Sequence, residues 1–248
     1  MTRRPAKHRH PSESGYARGE ETRTRIVLTA LRLFGEHGFD GASTRDIATA
    51  AGVNAPALQY YFDSKEGLYI ACVEHIVDRV WEHLGEVVAK AEKALQSNAD
   101  DDALIDVFCA IQARTAEFMF TSQEASDWRL FMARQQAGGG PPAGFQLLFQ
   151  RVNLRVRSVM AQIVGRLIGL PATDDETQIR AMALNGQLTT FQVIRRSALA
   201  ALNWDSVDGP RLALLQRILR EHTTILLRSM IATREQGPKR RRRSRKPS

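Results

Sequence analysis

Apolar residues recur along most of this chain at intervals of three and four, which is the spacing of one face of an α-helix. The pattern runs from Glu20 to Gly38, where the glycine marks the stop, and over a longer stretch from Leu68 to Leu95. No alternating strand pattern and no Asn-Gly hairpin signal follows. Beyond these two stretches, helices are predicted over residues 101–120, 126–136, 144–168, 174–201 and 207–233. The sequence therefore predicts an all-α fold.

Residues 43–68 carry the most distinctive pattern of the chain. Ser43 or Thr44 can cap a short helix, and Gly52 follows that helix where a left-handed backbone is commonly needed. Asn54 then stands at the position of a second cap. Two short capped helices joined by a tight turn predict a helix-turn-helix.

This stretch resembles the DNA-binding signature of the TetR family of bacterial one-component regulators. The matching residues are Thr44, Ile47, Ala48, Ala51, Gly52, Val53, Leu58, Tyr61, Phe62, Lys65, Glu66 and Leu68. The chain departs from the pattern at Gln59, where the family usually has a Tyr that touches a DNA phosphate or a base methyl. The resemblance implies a three-helix DNA-binding head, with the helix at 20–38 as its first helix.

Three later stretches resemble the C-terminal domain of the CecR-type branch of this family, whose members regulate efflux and drug-sensitivity genes. They are Trp128–Arg134, the sequence from Phe145 onward, and Asn185–Phe191. That branch usually has Arg-Glu where this chain has Arg134 followed by Gln135, so no role of that Glu is transferred. Members of the family dimerise through their last two long helices. The broad apolar faces predicted for 174–201 and 207–233 agree with a homodimer of this kind.

We expect four segments along the chain. They are a disordered basic N-terminal arm (1–19), a helix-turn-helix DNA-binding domain (20–67), a helical effector-binding and dimerisation domain (68–235), and a disordered basic C-terminal tail (236–248).

The formal net charge of +8 is concentrated near the two ends of the sequence. Residues 1–10 carry four Lys and Arg side chains, residues 239–248 carry seven, and neither stretch has an acid. Residues 11–238 hold 24 basic and 27 acidic side chains, a net charge of −3. Two interpretations stay open: arms that follow DNA phosphates without reading sequence, or ends that only aid solubility.

The start of the second helix of the helix-turn-helix is the predicted reader of DNA bases. Asn and Gln side chains pair with adenine, Arg pairs with guanine, and Ala contacts a thymine methyl. The candidates for base contacts are Arg45, Asn54, Ala55, Ala57, Gln59 and Tyr60. The candidates for phosphate contacts are Thr44, Tyr61 and Lys65. Each has an ordinary alternative, because Asn54 can serve only as a cap and Tyr61 can mainly pack.

An effector pocket among the later helices is implied by the resemblance. Its candidate lining is apolar and aromatic: Phe108, Ile111, Phe118, Trp128 and Met132. Such a lining predicts an apolar or aromatic ligand. Aromatic residues at helical spacing are also the ordinary content of a core, so this alternative stays open.

No catalytic, metal or cofactor site is predicted. The histidines show no ligand spacing, and Cys72 and Cys109 are expected to be buried free thiols. No segment has the roughly 18 uninterrupted apolar residues of a membrane helix, so a cytoplasmic protein is expected. Because no catalytic set of residues is found, we expect that the protein is not an enzyme.

The sequence thus predicts a transcriptional regulator, expected to be a repressor released from a palindromic operator by a small effector. One alternative within gene regulation is an activator or an effector-independent factor. An alternative of another class is a DNA-organising protein that relies on its basic ends.

Overall fold

A computed structural model describes residues 13–122, 128–188, 191 and 195–236 of the chain. Every regular element of these residues is helical, which confirms the predicted all-α fold. The helices are α1 (Glu13–Gly41), α2 (Thr44–Ala50), α3 (Ala55–Phe62), α4 (Lys65–Gln96), α5 (Asp101–Thr121), α6 (Arg129–Gln136), α7 (Pro142–Leu148), α8 (Leu154–Ile168), α9 (Asp175–Gly186), α10 (Arg195–Ala201) and α11 (Gly209–Glu235). A π-helical turn, Phe149–Asn153, joins α7 to α8.

The chain divides into two compact units. We call them the head unit, which contains residues 13–75 and 128–145, and the body unit, which contains the described residues of 76–127 and 146–248. The sequence led us to expect a division between residues 67 and 68. The structural division lies within α4, and it assigns residues 128–145 to the unit that contains the helix-turn-helix.

The helix-turn-helix forms through the predicted caps. The Ser43 hydroxyl accepts a hydrogen bond from the Asp46 N–H at 3.1 Å and caps α2. The Asn54 side-chain oxygen accepts from the Ala57 N–H at 2.8 Å and caps α3. Between the two helices, Gly52 has φ 66°, a left-handed conformation that glycine adopts without steric cost. These local signals fix where both helices begin.

Helix α6 packs on α1 within the head unit. A Cβ on Gly35 would lie only 3.0 Å from the Phe131 backbone nitrogen, so the two helices approach closely because Gly35 has no side chain. The Arg134 guanidinium donates to the carbonyl oxygens of Gly35 at 2.8 Å and Glu36 at 2.9 Å. These carbonyls precede Gly38, whose φ of 78° and ψ of 172° interrupt α1. Arg134 therefore supplies donors and positive charge where a helix end needs both.

Tyr69 is the centre of an aromatic cluster in the head unit. Its ring centroid lies 5.2 Å from that of Phe34, 5.4 Å from Phe39 and 4.8 Å from Phe131. Its hydroxyl donates a hydrogen bond to the Gln135 side-chain oxygen, and both residues are 2% exposed. Burial raises the pKa of Tyr69 to about 12. The pair ties α6 to α4 by a buried polar contact inside an apolar cluster.

The body unit has two apolar clusters that share α5 and α11. The larger includes Phe108, Ile111 and Leu184, and the smaller includes Ala116 and Leu188. Most of the body core therefore comes from helix faces that the three- and four-residue spacing predicted.

A buried polar network also joins α5, α9 and α11. The Gln112 side-chain amide donates to the Leu184 carbonyl at 2.9 Å, and the Thr223 hydroxyl donates to the Gln112 side-chain oxygen at 2.9 Å. The Gln187 amide donates to the same Leu184 carbonyl at 3.0 Å. These hydrogen bonds give partners to buried polar groups, which would destabilise the fold if they were left unpaired.

The predicted continuous helix over 174–201 is wrong. Helix α9 ends at Gly186, and Gln187 and Leu188 form a turn in which the Leu188 N–H donates to the Asn185 carbonyl at 3.3 Å. Asn185 and Gly186 are both weak helix formers, and together they outweigh the apolar periodicity. The helix predicted over 126–136 is described from Arg129 onward, because residues 123–127 lie outside the described part of the chain.

Candidate nucleic-acid interface

One face of α3 is open to solvent. Leu58 and Phe62 are buried, whereas Asn54, Ala55 and Gln59 are exposed. This alternation follows from helical geometry, because the residues between the buried positions turn to the opposite side. The helix therefore presents polar side chains and a short apolar one to solvent, as a recognition helix requires.

Among the described large hydrophobic side chains of the head, Tyr60 is the most exposed, at 83%. Its ring meets that of Tyr61 edge-on, with centroids 5.4 Å apart. The Tyr61 hydroxyl lies 3.9 Å from where a Cβ on Gly19 of α1 would stand. Tyr61 is thus half-buried beside α1, while Tyr60 projects freely.

The other predicted positions on these helices differ in exposure. Arg45 of α2 is exposed, and no hydrogen bond or ion pair of its guanidinium to a described residue is found. Thr44 and Ala57 are half-buried. The nine residues predicted to contact DNA thus lie on α2, on α3 or its N-cap, and at the start of α4: Thr44, Arg45, Asn54, Ala55, Ala57, Gln59, Tyr60, Tyr61 and Lys65.

Lys65 has a structural role that the sequence did not indicate. Its ammonium group donates to the Asp40 carbonyl at 3.3 Å and lies 4.7 Å from the centroid of the Phe39 ring. An ammonium group has three donors, so others remain for a phosphate. Lys65 consequently clamps the α1–α2 connection to the start of α4 and keeps part of its hydrogen-bonding capacity.

Two arginines of α1 were missed as supports of the helix-turn-helix. Arg25 donates from Nε to the Ala51 carbonyl at 3.1 Å, and the Arg23 guanidinium lies 5.5 Å from the Phe62 ring centroid. Ala51 is the C-cap of α2, and helix ends leave carbonyls that need donors. The sequence could have indicated that the end of α2 needs a hydrogen-bond donor. It could not have indicated which distant Arg supplies that donor.

The basic side chains of the head unit are matched in number by acidic ones, and most of the basic ones have partners within the unit. Residues 17–75 and 128–145 hold eight Lys and Arg against eight Asp and Glu side chains. Arg23, Arg25, Lys65 and Arg134 make the contacts described above, Arg32 pairs with Glu36 at 3.1 Å, and Arg129 is engaged as well. Among the described basic residues of this unit, only Arg18 and Arg45 have no side-chain partner in it.

The five predicted effector-binding residues are divided between the two units. Phe108 and Ile111 are fully buried in the larger body cluster, and the Phe118 ring lies 4.4 Å from that of His83. Trp128, which is 3% exposed, and the half-buried Met132 belong to the head unit. Two surface cavities of the body, of about 400 and 760 Å³, have linings that are polar and apolar in similar proportion and include none of the five.

Comparison with known proteins identifies the family. The sequence profile described as "Bacterial regulatory proteins, tetR family" matches residues 26–72, which include the second half of α1, all of α2 and α3, and the start of α4. The profile "HTH-type transcriptional dual regulator CecR, C-terminal domain" matches residues 104–230, about half of the chain. The chain belongs to the TetR family, with a C-terminal domain of the CecR type. This TetR-family protein is therefore a DNA-binding transcriptional regulator, and the resemblance seen in the sequence is confirmed.

Individual relatives agree with this assignment. The HTH-type transcriptional dual regulator CecR of Shigella flexneri is 27% identical over 213 residues, which cover 86% of this chain and 94% of the relative. RaaS of Mycobacterium tuberculosis, an HTH-type transcriptional regulatory protein, is 28% identical over 162 residues, covering 65% of this chain and 66% of the relative. The expectation that the chain is not an enzyme is confirmed by these relatives.

Solved structures of low sequence identity share the fold. A transcriptional regulator from Pseudomonas aeruginosa PAO1 has a TM-score of 0.58 at 16% identity, with 86% of this chain and 94% of that chain covered. AibR, solved in complex with isovaleryl coenzyme A and operator DNA, has a TM-score of 0.57 at 14% identity, with 80% and 96% covered.

Neither a membrane-spanning helix nor a metal-binding cluster is present in the described part of this TetR-family chain. Within residues 13–122, 128–188, 191 and 195–236, no helix is long and apolar enough to cross a membrane. The same residues contain no cluster of three or more His, Cys, Asp or Glu placed to hold a metal ion. Both cysteines are free and buried, and burial raises the pKa of the Cys72 thiol, which keeps it protonated.

Proposed function

We propose that the protein is a repressor that binds a palindromic operator and is released by a small apolar or aromatic molecule. The observation that carries the proposal is the exposed face of α3 beside Arg45, in the head of a family of DNA-binding regulators. Leu58 and Phe62 are buried and hold α3 in place, so the exposed residues of the helix are free to contact DNA.

Each side chain has a role that its chemistry supports. The Asn54 oxygen is used by the cap, which leaves its NH₂ group for an acceptor on a base edge. Gln59 and Arg45 are proposed to read adenine and guanine, while Ala55 and Ala57 contact thymine methyls. Tyr60 is proposed to contribute a further base contact. Thr44, Tyr61 and the remaining donors of Lys65 are proposed to bind phosphates.

The experiment is a binding titration with DNA that flanks the protein's own gene, against a scrambled duplex of equal length. Gln59→Ala should lower the preference between the two, because it removes a base contact, whereas Lys65→Ala should weaken both alike. Gln136→Ala, an exposed Gln at the end of α6, is the matched control and should change neither. Equal losses on both duplexes for Gln59→Ala would contradict its reading role.

Dimerisation is the second part of the proposal. Helices α9 and α11 expose large apolar side chains, including Ile179 at 61% and Ile225 at 65%. Burying such residues against a second copy is favourable, and two heads one helical turn apart, about 34 Å, match successive major grooves of a palindrome. Ile225→Glu should shift the protein from dimer to monomer in sedimentation, while Leu28→Glu, an exposed position of the head, should leave the dimer intact.

The third part of the proposal concerns the chemical class of the effector. Phe108, Ile111, Phe118, Trp128 and Met132 stay the candidates, and their apolar character supports an apolar or aromatic ligand. A panel of such molecules should release the protein from its operator, and replacing Phe118 by Ala should change which of them are active. Release by polar molecules alone would contradict the proposed class.

Two alternatives have specific support. The similarity to a protein described as a dual regulator favours activation as well as repression, which a reporter gene under the operator would reveal. The charged ends of the sequence favour a DNA-organising protein, which would bind operator and random duplexes equally.

A further inference from the structure

Residues 38–41 of the head unit lead from the interruption of α1 toward α2. Gly38 leaves the helical conformation, with φ 78° and ψ 172°. Because the regular helix stops there, the residues that follow depend on other contacts for their position. Side chains from two other helices, α4 and α6, supply such contacts on either side of the interruption.

Lys65, at the start of α4, contacts the residues that follow the interruption. Its ammonium group donates to the Asp40 carbonyl at 3.3 Å and lies 4.7 Å from the centroid of the Phe39 ring. A free Lys side chain loses much rotamer entropy when it is fixed by a ligand. These contacts order part of the side chain before any ligand arrives, so they preorganise Lys65 for binding.

Arg134 of α6 contacts the turn that precedes the interruption. Its guanidinium donates to the carbonyl oxygens of Gly35 at 2.8 Å and Glu36 at 2.9 Å. A Cβ on Gly38 would lie 3.4 Å from its Nη1 atom, so the guanidinium also stands directly beside the interruption. Asp40 follows Glu36 by only four residues, so Arg134 fixes the backbone that carries the acceptor of Lys65.

We propose that Arg134 is a positioning residue for DNA binding. By holding the end of α1, it places Phe39 and Asp40 so that Lys65 is presented to a DNA phosphate. The inference rests on the proposed function, because it takes Lys65 as a phosphate ligand. Without Arg134, Lys65 keeps its charge but loses the fixed support that orders its side chain.

The size of the effect follows from the cost of immobilising a side chain. Ordering one rotamer-rich side chain on binding costs about 0.5–1.5 kcal/mol, which corresponds to an affinity change of about 2- to 12-fold. Arg134→Gln should weaken duplex binding by about this factor for each bound head. In the Lys65→Ala background no ammonium group is left to position, so the same change should alter affinity by less than about twofold.

The experiment is a double-mutant cycle on a duplex of scrambled sequence, because phosphate contacts do not depend on the bases. Fluorescence anisotropy gives the affinities of the wild type, Arg134→Gln, Lys65→Ala and the double variant. Arg32→Gln is the matched control, since it removes the same charge from an exposed Arg of α1 whose partner is the Glu36 carboxylate. It should change affinity by less than about twofold in either background.

A second variant and a folding measurement separate positioning from stability. Arg134→Lys keeps the charge but donates from one ammonium group instead of a planar guanidinium, so it should bind DNA with an affinity between those of the wild type and Arg134→Gln. Trp128 fluorescence in urea shows whether each head is folded under the assay conditions. If Arg134→Gln leaves the head unfolded, the same cycle is completed with Arg134→Lys. A purely structural role would not make the affinity loss depend on Lys65.

The outcomes of the cycle are distinct. An affinity loss for Arg134→Gln that disappears in the Lys65→Ala background supports the proposal. Equal losses in both backgrounds, or a loss below about twofold when Lys65 is present, would overturn it. If Lys65→Ala binds as tightly as the wild type, the phosphate contact in the proposed function is refuted, and this inference with it. Operator preference is measured separately, so its absence would leave the result of the cycle unchanged.

Discussion

The buried pair of Tyr69 and Gln135 offers a decisive test of how residues 128–145 are held in the head unit. Tyr69→Phe removes the hydroxyl and leaves the Gln135 side-chain oxygen, in a residue 2% exposed, without its donor. An unsatisfied buried polar group costs about 1–3 kcal/mol. Gln135→Leu should cost a similar amount, because it leaves the Tyr69 hydroxyl without its acceptor.

The double variant distinguishes a hydrogen bond from simple packing. When both partners become apolar, no buried polar group is left unpaired, so the double variant should be more stable than the sum of the two losses predicts. We expect a coupling free energy of about 1–3 kcal/mol from the double-mutant cycle. Tyr60→Phe is the matched control, because the same hydroxyl is removed from a side chain that is 83% exposed. It should change stability by less than about 0.5 kcal/mol.

The assay is urea unfolding followed by the fluorescence of Trp128. The chain has three tryptophans, and Trp81 and Trp204 belong to the body unit, so Trp81→Phe and Trp204→Phe leave a probe of the head alone. Trp128 is 3% exposed, and its emission should shift to longer wavelength as the head unfolds. Losses that add within about 0.3–0.5 kcal/mol would refute the reasoning, because independent sites behave in that way.

Three further outcomes are expected. Between about pH 10 and 12 the unfolded chain loses a Tyr69 proton that the folded protein retains. The free energy of unfolding should therefore fall with rising pH by up to about 1.4 kcal/mol per pH unit. Urea unfolding at several pH values should show that Tyr69→Phe reduces this fall. Asn54→Ala should lower head stability by about 1 kcal/mol through loss of the α3 cap, whereas Asn54→Ser should preserve it, as measured by Trp128 fluorescence. Phe108→Ala should destabilise the body by about 3–5 kcal/mol in urea unfolding, and a loss below about 1 kcal/mol would indicate open space around that ring.

Local signals in the sequence predicted the helix-turn-helix well. Asn54 caps α3 as expected, and Gly52 has the left-handed backbone that its position required. Both depend on residues within a few positions of each other, so the pattern alone contains the necessary information.

Long-range partners were beyond the reach of the pattern. Nothing near Arg134 in the sequence indicates that its guanidinium donates to the carbonyl of Gly35, 99 positions earlier. The sequence likewise predicted a phosphate contact for Lys65 but not its hydrogen bond to the Asp40 carbonyl. The sequence also did not predict that Trp128 and Met132 belong to the head unit. Apolar spacing identifies the buried face of a helix but not the helix that packs against it. Apolar spacing also failed to predict a helix end. The periodic pattern continues past Gly186 in the sequence, although α9 ends at that residue.

The discontinuous make-up of the head unit has a consequence for protein synthesis. Residues 13–75 leave the ribosome first, but Phe131, Arg134 and Gln135, which cover α1 and Tyr69, follow only after residues 76–127 have been made. The nascent DNA-binding helices must therefore wait with an uncovered apolar face and an uncapped helix end. Contacts between segments so far apart in sequence form slowly, and exposed apolar surface favours aggregation during the delay. A fragment that stops shortly after the helix-turn-helix would carry the same defect permanently.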